Sequence, residues 1–409
     1  MTTCRSCGAS SLPLILDLGE TPLANSLLTP EQLNIPEDRF PLAVVFCPEC
    51  TLVQITETVP PEALFRDYVY FSSFSDTVLE NARESVEKIL ATRALGPESL
   101  VVEIASNDGY LLKNFVAAGI PVLGVEPARN IAKVAEENGI PTVCEFFGDD
   151  LAEKLAAEGK QADVILANNV IAHIPVINGV MSGVKKLLKP GGAFIMETPY
   201  LRDLIDKLEF DTIYHEHLFY YSLTALEALY QRHGLAAADV EHLPIHGGTI
   251  RVTVVHQGEE GDRPAVTAML AEEASWGVGS PDYYARFGRD VADLGEKLTG
   301  LLKELRSQGK TIAAYGAAAK GSTLVNAFGI GLDLIDFVVD RSTVKQGKLM
   351  PGVHFPILPP EALVERKPDY VLMLAWNFAD EIIRQQTEYL ATGGRFIVPV
   401  PTPRIVPAD

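Results

Sequence analysis

One short segment of this chain concentrates side chains that can move protons. Residues 210–222 read Phe-Asp-Thr-Ile-Tyr-His-Glu-His-Leu-Phe-Tyr-Tyr-Ser, which places Tyr214, His215, Glu216 and His217 side by side. If the segment is helical, Tyr214 and His217 share one face, because residues three apart are neighbours on a helix. A phenol beside an imidazole can transfer a proton and stabilise an oxyanion. We therefore predict acid–base chemistry in this segment.

Two other interpretations of this segment carry less weight. A metal site would use His215, Glu216 and His217, but the HExxH spacing of zinc enzymes is missing, and neighbours on a helix point apart. A polar surface turn would not need so many aromatic residues beside it. Those residues predict a lined cavity instead.

A cofactor site is predicted between residues 100 and 127. An apolar run at 100–104 ends in small and polar residues, a helical pattern follows, and a second apolar run at 122–125 ends in Glu126. This order of strand, tight loop, helix, strand and acid builds half of a doubly wound sheet with a ligand at the strand ends. Glu126 can accept both hydroxyl hydrogens of a ribose. The candidate cofactor residues are Glu103, Ala105, Ser106, Asn107, Gly109, Glu126 and Asn168, the last at the end of a later strand.

The chemistry of the loop narrows the choice of cofactor. The three-glycine fingerprint of dinucleotide sites is absent, and so is the lysine-containing phosphate loop of nucleotide triphosphatases. A nucleoside without a phosphate chain fits better, and S-adenosylmethionine is the obvious candidate. The alternative is a βαβ unit that binds no ligand, and the acid after the second strand argues against it.

Four of the five cysteines form two pairs with metal-site spacing. Cys4 and Cys7 make one CxxC pair, and Cys47 and Cys50 make the other, with 39 residues between the pairs. Each pair can sit on a tight turn that directs two thiolates at one tetrahedral ion, so we predict structural zinc. The alternative is a redox role for the cysteines. The two pairs on either side of a short β-rich segment favour zinc over that role. The fifth cysteine, Cys144, is expected to be a buried structural thiol.

The composition excludes several classes of partner. With 409 residues the chain is expected to form two or three domains. Its net charge of −20 disfavours nucleic acid. No apolar run of roughly 18 residues predicts a membrane span, and the start of the chain lacks an apolar signal core. We therefore expect a cytoplasmic protein that is a monomer and acts on a small molecule.

A second doubly wound unit is predicted in the last third of the chain. Residues 260–280 read as a loose connector, and a long amphipathic helix follows at 283–307. A strand then runs into Gly316-Ala-Ala-Ala-Lys-Gly321, where exposed backbone N–H groups and Lys320 suit a pyrophosphate. The predicted fold class is α/β, with two Rossmann-like domains (71–250 and 251–409) and a small zinc-binding β-rich domain (1–70).

Several polar residues are candidates for substrate contacts. The stretch at 68–75 is rich in aromatic and hydroxyl groups, and it either lines a pocket or is a packed connector. A histidine followed by two glycines precedes the strand near residue 249. The candidate substrate residues are Tyr68, Tyr70, Ser72, Ser73, His246, Gly247, Tyr315, Lys320, Asn326 and Asn377.

These motifs together resemble one enzyme family. The paired CxxC module, Glu103-Ile-Ala-Ser-Asn-Asp-Gly, Ala172-His-Ile-Pro, Ile213-Tyr-His-Glu-His, His246-Gly-Gly and Tyr315-Gly-Ala-Ala-Ala-Lys-Gly resemble the sugar C-methyltransferases of deoxysugar biosynthesis. The resemblance covers essentially the whole chain. It implies a zinc domain, a central S-adenosylmethionine domain and a C-terminal Rossmann-like domain. This sequence departs from the family at Ala105, where glycine is usual.

The resemblance implies methylation of C3, or in relatives C5, of a dTDP-4-keto deoxysugar in natural-product pathways. Within the cluster we assign His217 as the base, Tyr214 as the donor to the enolate oxygen and Glu216 as the group that orients an imidazole. His173 would hold the sugar or act as an alternative acid or base. Two alternatives are an O- or N-methyltransferase on this scaffold and a non-enzymatic zinc module fused to degenerate Rossmann units.

Overall fold

The computed structural model describes residues 2–65, 72–74, 76–245 and 247–407. Tyr68, Tyr70 and His246, three of the candidate substrate residues, lie outside the described residues. The described chain forms three sheets of four, seven and six strands. The order of the sheets along the chain follows the predicted fold class, with a small β-rich module ahead of two α/β units.

The first sheet carries the paired cysteines. Its first three strands are antiparallel, and a fourth strand joins from much later in the chain. In the second strand Leu42 and residues 44–46 are buried, so both faces of the strand are covered at its carboxyl end. The elements are β1 (Leu14–Pro22), a 3₁₀ helix (Pro30–Asn34), β2 (Arg39–Phe46), β3 (Val53–Ile55) and α1 (Pro61–Phe65).

The second sheet has the order β10-β11-β8-β7-β4-β5-β6. Its strands are parallel except β11, which runs antiparallel to both of its neighbours. The strands are β4 (Val101–Ile104), β5 (Val122–Val125), β6 (Thr142–Val143), β7 (Ala162–Asn168), β8 (Leu188–Pro199), β10 (Leu235–Leu243) and β11 (Thr249–His256), while β9 (Phe219–Tyr220) pairs with β3 of the first sheet.

Helices cover both faces of this sheet and connect its parallel strands. The α-helices are α2 (Asp76–Thr92), α3 (Leu112–Ala117), α4 (Arg129–Glu137), α5 (Asp149–Ala157), α6 (Ile177–Leu187), α7 (Leu201–Asp206) and α8 (Leu223–Arg232). Three short 3₁₀ helices lie at Ser72–Phe74, Ile171–His173 and Phe210–Thr212.

The third sheet has the order β14-β13-β12-β15-β16-β17 and is parallel except for β17. Its strands are β12 (Ile312–Tyr315), β13 (Val338–Val339), β14 (Ile357–Leu358), β15 (Tyr370–Met373), β16 (Arg395–Val398) and β17 (Arg404–Val406). The helices are α9 (Pro264–Trp276), α10 (Pro281–Ser307), α11 (Ala319–Ala327), α12 (Ala362–Arg366), α13 (Ala379–Gln385) and α14 (Thr387–Ala391), and a 3₁₀ helix spans Trp376–Phe378.

The expectation of a loose connector at 260–280 is wrong, because α9 occupies Pro264–Trp276. The glycines that suggested a connector lie on either side of this helix, and Gly277 ends it at a positive φ of 87°. Proline at the first helical position suits the helix start. The glycines therefore mark the ends of a helix.

Four local expectations also needed correction. The apolar pattern of residues 141–147 predicts a strand, but β6 covers only Thr142–Val143. The Lys-Pro-Gly-Gly residues at 189–192 predict a turn, but they belong to the start of β8, which begins at Leu188. Cys144 is exposed, where a buried thiol was expected. The segment at 210–222 is a 3₁₀ turn, a second turn and the short β9, with α-helix absent from it.

A continuous apolar core joins the three sheets. Phe46 of β2 stacks on Tyr284 of α10 with ring centroids 4.5 Å apart. Phe210 packs on Phe328 at the end of α11, at 4.7 Å. Among the described helices, none combines the length and the apolar character needed to cross a membrane.

Candidate active site

The four paired cysteines converge at one point. All four Sγ atoms lie within 4.8 Å of one another, with Cys4 to Cys50 and Cys7 to Cys47 each at 3.5 Å. Four ligands at about 2.3 Å from a tetrahedral zinc ion are separated by about 3.8 Å, close to this spacing. The sulfur atoms therefore fit zinc without rearrangement of the backbone.

The electrostatics of the cluster fit a cation as well. The hydrogen bond from Cys50 lowers the pKa of Cys4 to about 5, and burial raises the pKa of Cys47 to about 11. The pKa of Cys50 is raised by its role as donor to Cys4. Adjacent sulfur atoms cannot all ionise without a positive charge between them, and a divalent metal supplies that charge.

The backbone of the loop after β4 is strained in a way that is common where a ligand lies close to the main chain. Ala105, Asn107 and Gly109 have positive φ values of 53°, 50° and 81°. A Cβ on Gly109 would lie 2.6 Å from Cγ1 of Ile140, so only glycine fits there. Ala105 adopts a backbone conformation that glycine accepts more readily than alanine does.

Glu126 lies at the end of β5 and supports the loop. Its Oε2 accepts a hydrogen bond from the backbone N–H of Asn107 at 3.0 Å, and its Oε1 accepts one from Ala128 at 2.8 Å. The side chain is buried, and desolvation raises its pKa. Each carboxylate oxygen keeps a second lone pair, so the group can still accept ribose hydroxyls.

Two further acids give this site a negative character. Glu103 is 1% exposed, and its Oε2 has no hydrogen-bond partner among the described residues. Burial and the charges of Glu126 and Asp108 raise the pKa of Glu103 well above its usual value. Three acids around one buried loop suit a cationic ligand, and S-adenosylmethionine carries both a sulfonium and an ammonium group.

The remaining candidate residues for the cofactor surround this loop. The backbone N–H of Ser72 donates to Oδ1 of Asn107 at 2.9 Å, so the predicted substrate residues Ser72 and Ser73 pack on the cofactor loop. Ser106 is fully buried. Asn168 ends β7 and lines a small cavity of about 30 Å³ with Glu197.

Three of the four catalytic candidates, Tyr214, His217 and His173, come together, although not on a helix. The hydroxyl of Tyr214 lies 3.0 Å from Nε2 of His217, and the ring centroids are 4.1 Å apart. Nδ1 of His217 lies 2.8 Å from the carbonyl oxygen of Thr212. Since a carbonyl only accepts, Nδ1 carries the proton and Nε2 accepts from the phenol. The ring of His173 packs edge-on against His217 at 4.8 Å.

The surroundings of both histidines favour the neutral form of the imidazole. Desolvation lowers the pKa of His173 to about 4. The pKa of His217 is lowered well below its usual value by burial, by the neighbouring His173 and by the charge of Lys320, although the Thr212 carbonyl opposes this. An unprotonated Nε2 at neutral pH is what a general base requires.

The other two members of the motif face the zinc domain. Oε1 of Glu216 accepts a hydrogen bond from the side chain of Asn25 at 2.6 Å. Nε2 of His215 lies 3.2 Å from the carbonyl oxygen of Pro41. We expected Glu216 to orient an imidazole. For His217 the structure shows otherwise, because the carbonyl oxygen of Thr212 orients that ring.

Asp211, Glu209 and Trp376 lie beside this segment and were missed by the sequence analysis, although Lys320 next to them was a candidate substrate residue. Asp211 is fully buried, and its Oδ2 accepts a hydrogen bond from Nε1 of Trp376 at 2.6 Å. The ammonium group of Lys320 lies 4.9 Å from the centroid of the Trp376 ring. Burial raises the pKa of Asp211 to about 6 and that of nearby Glu209 to about 7, and Lys320 opposes both shifts. Apart from the abundance of aromatic residues, no sequence signal marks this group.

The second doubly wound unit repeats the geometry of the first. The backbone N–H of Ala317, in the loop after β12, donates to Oδ2 of Asp340 at 2.8 Å, as Asn107 does to Glu126. Lys345 donates to the carbonyl oxygen of Ala317 at 2.9 Å. This loop, which we call the phosphate loop (residues 316–318), lies at the carboxyl ends of the strands, where ligands bind such sheets.

The other candidate substrate residues are spread over this region. Tyr315 ends β12 and is 4% exposed, and Asn377 lies in the 3₁₀ helix after β15. Asn326 donates to the carbonyl oxygens of Ser322 and Pro351, which ties a later loop to α11. Gly247 packs on the carboxyl group of Glu209, which a Cβ would meet at 2.3 Å.

Three family models match consecutive parts of the chain. They are a zinc binding domain at residues 4–65, a methyltransferase domain at 78–240 and a C-methyltransferase C-terminal domain at 244–401. The C-methyltransferase NovU of Streptomyces niveus is 40% identical over 99% of this chain and 97% of its own length. The chain belongs to the zinc-containing, S-adenosylmethionine-dependent C-methyltransferases.

Other relatives resemble only part of this C-methyltransferase. The ubiquinone biosynthesis O-methyltransferase of Roseobacter denitrificans is 34% identical over 24% of this chain and 40% of its own length. The solved PH0226 protein of Pyrococcus horikoshii covers 49% of this chain and 100% of its own, with 19% identity and a TM-score of 0.38. In this chain the four clustered cysteines lie within the zinc binding domain match, and the acidic loop after β4 lies within the methyltransferase domain match.

Proposed function

We propose that this C-methyltransferase methylates C3 of a dTDP-4-keto deoxysugar through an enolate, in the biosynthesis of a deoxysugar for a natural product. A 4-keto group acidifies the hydrogen on C3. A neutral base can therefore remove that hydrogen as a proton, and the resulting charge develops on O4. When bound, S-adenosylmethionine supplies an electrophilic methyl group for the enolate carbon.

The proposal rests on the 3.0 Å contact between the Tyr214 hydroxyl and Nε2 of His217. The Thr212 carbonyl fixes the imidazole with its proton on Nδ1, so the proton from the sugar ends on Nε2. Burial favours the neutral imidazole before the reaction.

The nucleotide is assigned to the phosphate loop of the second doubly wound unit. Its backbone and the cations nearby, including Lys345, are placed at the carboxyl edge of the third sheet. The catalytic segment at 209–217 lies between this unit and the cofactor loop, since Trp376 bonds to Asp211 on one side and His173 follows β7 on the other.

We further propose that the enzyme acts as a monomer, because one chain supplies the cofactor loop, the catalytic pair and the phosphate loop. Light scattering at assay concentrations tests this, and a concentration-dependent loss of activity on dilution would contradict it.

The decisive experiment uses a panel of dTDP-4-keto sugars with S-adenosylmethionine, analysed by NMR of the products. Methylation at C3 is expected, with exchange of the C3 hydrogen in D2O. A methyl group at C5 would correct the regiochemistry, and methylation on oxygen would reject the enolate.

Variants of the catalytic pair refine this test. His217→Asn cannot accept the proton at neutral pH and should lose both exchange and methylation. Tyr214→Phe removes the hydroxyl that bonds to Nε2 of His217 and should slow both by roughly 10²–10³-fold while substrate still binds. If Tyr214→Phe abolishes exchange and His217→Asn only slows it, the tyrosinate removes the proton from carbon.

A further inference from the structure

Lys320 follows the phosphate loop in sequence, but its ammonium group faces the catalytic segment. Nζ lies over the ring of Trp376, 4.9 Å from the centroid. Its charge lowers the pKa values of Glu209, Asp211 and His217. The positive charge of Lys320 is therefore felt at the acid–base pair.

The surroundings of Lys320 do not favour a diphosphate. Asp211 is fully buried, and Glu209 is 4% exposed. Within the part of the chain that the structure describes, Oδ1 of Asp211 and Oε1 of Glu209 accept no hydrogen bond. Two buried carboxyl groups beside one ammonium group would repel additional phosphate charge. Lys345, which contacts the phosphate loop itself, is better placed for that role.

The oxygen that becomes negative in the proposed reaction still requires a donor. Tyr214 was expected to provide it, but its hydroxyl is directed at Nε2 of His217. Lys320 is a cation whose charge reaches His217. An ammonium group aimed at a developing oxyanion in a buried site lowers the barrier to its formation.

We propose that Lys320 is a catalytic residue that donates a hydrogen bond to O4 of the sugar, and that Asp211 and Trp376 are positioning residues for it. The inference deepens the proposed function and rests on it. When the C3–H bond breaks, the Tyr214 oxygen takes the C3 proton as its own hydroxyl proton passes to Nε2 of His217. The C3–H electron pair forms the C3–C4 double bond, and the carbonyl π pair moves onto O4. Lys320 keeps all its protons in this step and stabilises the charge.

The positioning of Lys320 follows from two contacts. The Asp211 carboxylate holds the indole of Trp376 through the 2.6 Å hydrogen bond, and the indole face holds the ammonium group. Asp211 also attracts Lys320 directly. Asp211→Asn keeps the size of the side chain and an acceptor for Trp376 but removes the charge.

The test is a double-mutant cycle on methylation with Lys320→Met and Asp211→Asn. Lys320→Met should lower kcat by roughly 10²-fold, with KM for the nucleotide sugar and the affinity for dTDP unchanged. Asp211→Asn should lower kcat by about tenfold, and this effect should vanish in the Lys320→Met background. Lys345→Met is the matched control and should raise KM without lowering kcat.

Two results would overturn the inference. A loss of dTDP affinity in Lys320→Met with kcat retained would make Lys320 a diphosphate ligand. An equal effect of Asp211→Asn in both backgrounds would reduce Asp211 to a structural residue. Thermal unfolding of each variant identifies any that fail to fold, and Trp376→Phe, which keeps an aromatic face but loses the N–H donor, then replaces Asp211→Asn in the cycle.

Failure of the proposed function gives a different pattern. If the wild-type enzyme methylates none of the 4-keto sugars, the proposed function is rejected by that assay alone. Calorimetry with dTDP still decides the role of Lys320. Loss of dTDP binding in Lys320→Met overturns the inference. If Lys320→Met still binds dTDP and Lys345→Met does not, Lys320 is not a ligand of the diphosphate.

Discussion

Glu126 uses its two carboxylate oxygens to hold the cofactor loop from both ends. One oxygen accepts the N–H of Asn107 and the other accepts the N–H of Ala128. The second lone pair on each oxygen is left for the ribose. Removal of this one side chain therefore affects both the shape of the loop and its contacts with the ligand.

We expect Glu126→Ala to weaken S-adenosylmethionine binding by about 1.5–3 kcal/mol, or about 10- to 100-fold, since it removes charge-assisted hydrogen bonds. Calorimetric titration with the cofactor measures this. Glu126→Gln keeps one acceptor oxygen and should lose less. An unchanged dissociation constant in Glu126→Ala would place the ribose elsewhere.

The titration of His217 gives a second prediction for a single residue. Its pKa is lowered by burial first, and the charges of His173 and Lys320 add to the shift. Because the base must be neutral, kcat/KM should stay level as pH falls to about 6.5 and decline only below it. Lys320→Met removes a positive charge, so the pKa of His217 should rise and the decline should begin at higher pH. A decline that begins at lower pH in this variant would contradict the assignment.

At the scale of elements, the two cysteine turns anchor a sheet that reaches the active site. β3 of that sheet pairs with β9, which directly follows the catalytic motif. Asn25, between β1 and β2, binds Glu216. The zinc module therefore supports the segment that carries Tyr214 and His217.

Loss of the metal should destabilise this module. Cys47→Ser combined with Cys50→Ser should abolish binding of about one zinc ion per chain, lower the unfolding temperature and reduce methylation. Metal analysis, thermal unfolding and activity are the measurements. Cys144→Ser is the control, since that thiol is exposed and outside the cluster. Full zinc content in the double variant would refute the site.

At the scale of the whole molecule, the catalytic segment is enclosed from three sides. Asn25 of the zinc module, His173 of the central unit and Trp376 of the last unit all lie against it. The last unit is connected through α9, which packs on α8 and β10 of the central unit. The position of the third sheet therefore depends on how α9 is held.

Glu273 of α9 is the residue that holds this connection. It is fully buried and accepts hydrogen bonds from the Tyr200 hydroxyl at 3.0 Å and from the backbone N–H groups of Leu223 and Thr224 at 2.7 Å. Glu273→Gln places amide hydrogens against these donors and should cost at least about 2 kcal/mol of unfolding free energy. Urea unfolding and limited proteolysis after α9 measure this loss.

The neighbouring Glu272 provides the control, because its side chain is 58% exposed and pairs with Arg202 on the surface. Glu272→Gln should change the unfolding free energy by less than about 0.5 kcal/mol. Equal stability of the Glu272 and Glu273 variants would show that α9 is held by apolar contacts alone.

The sequence by itself determined the features that depend on residues close together in the chain. The CxxC pairs are local turns with fixed ligand spacing, and both doubly wound units follow from strands and helices read in order. Glu126 could be assigned because an acid after the second strand of such a unit lies beside the loop after the first. The pairing of Tyr214 with His217 was also local, since a turn brings residues three apart together as a helix would.

Only the tertiary structure decided how distant segments meet. Asn25 and Glu216 are 191 positions apart, and Asp211 and Trp376 are 165 apart. No periodicity encodes such contacts, because they depend on how three sheets pack around one core. The glycines around α9 could not be assigned to helix ends without the buried contacts of Glu273. The environment of Lys320 was likewise set by packing between units, which placed its charge beside an imidazole and two buried acids.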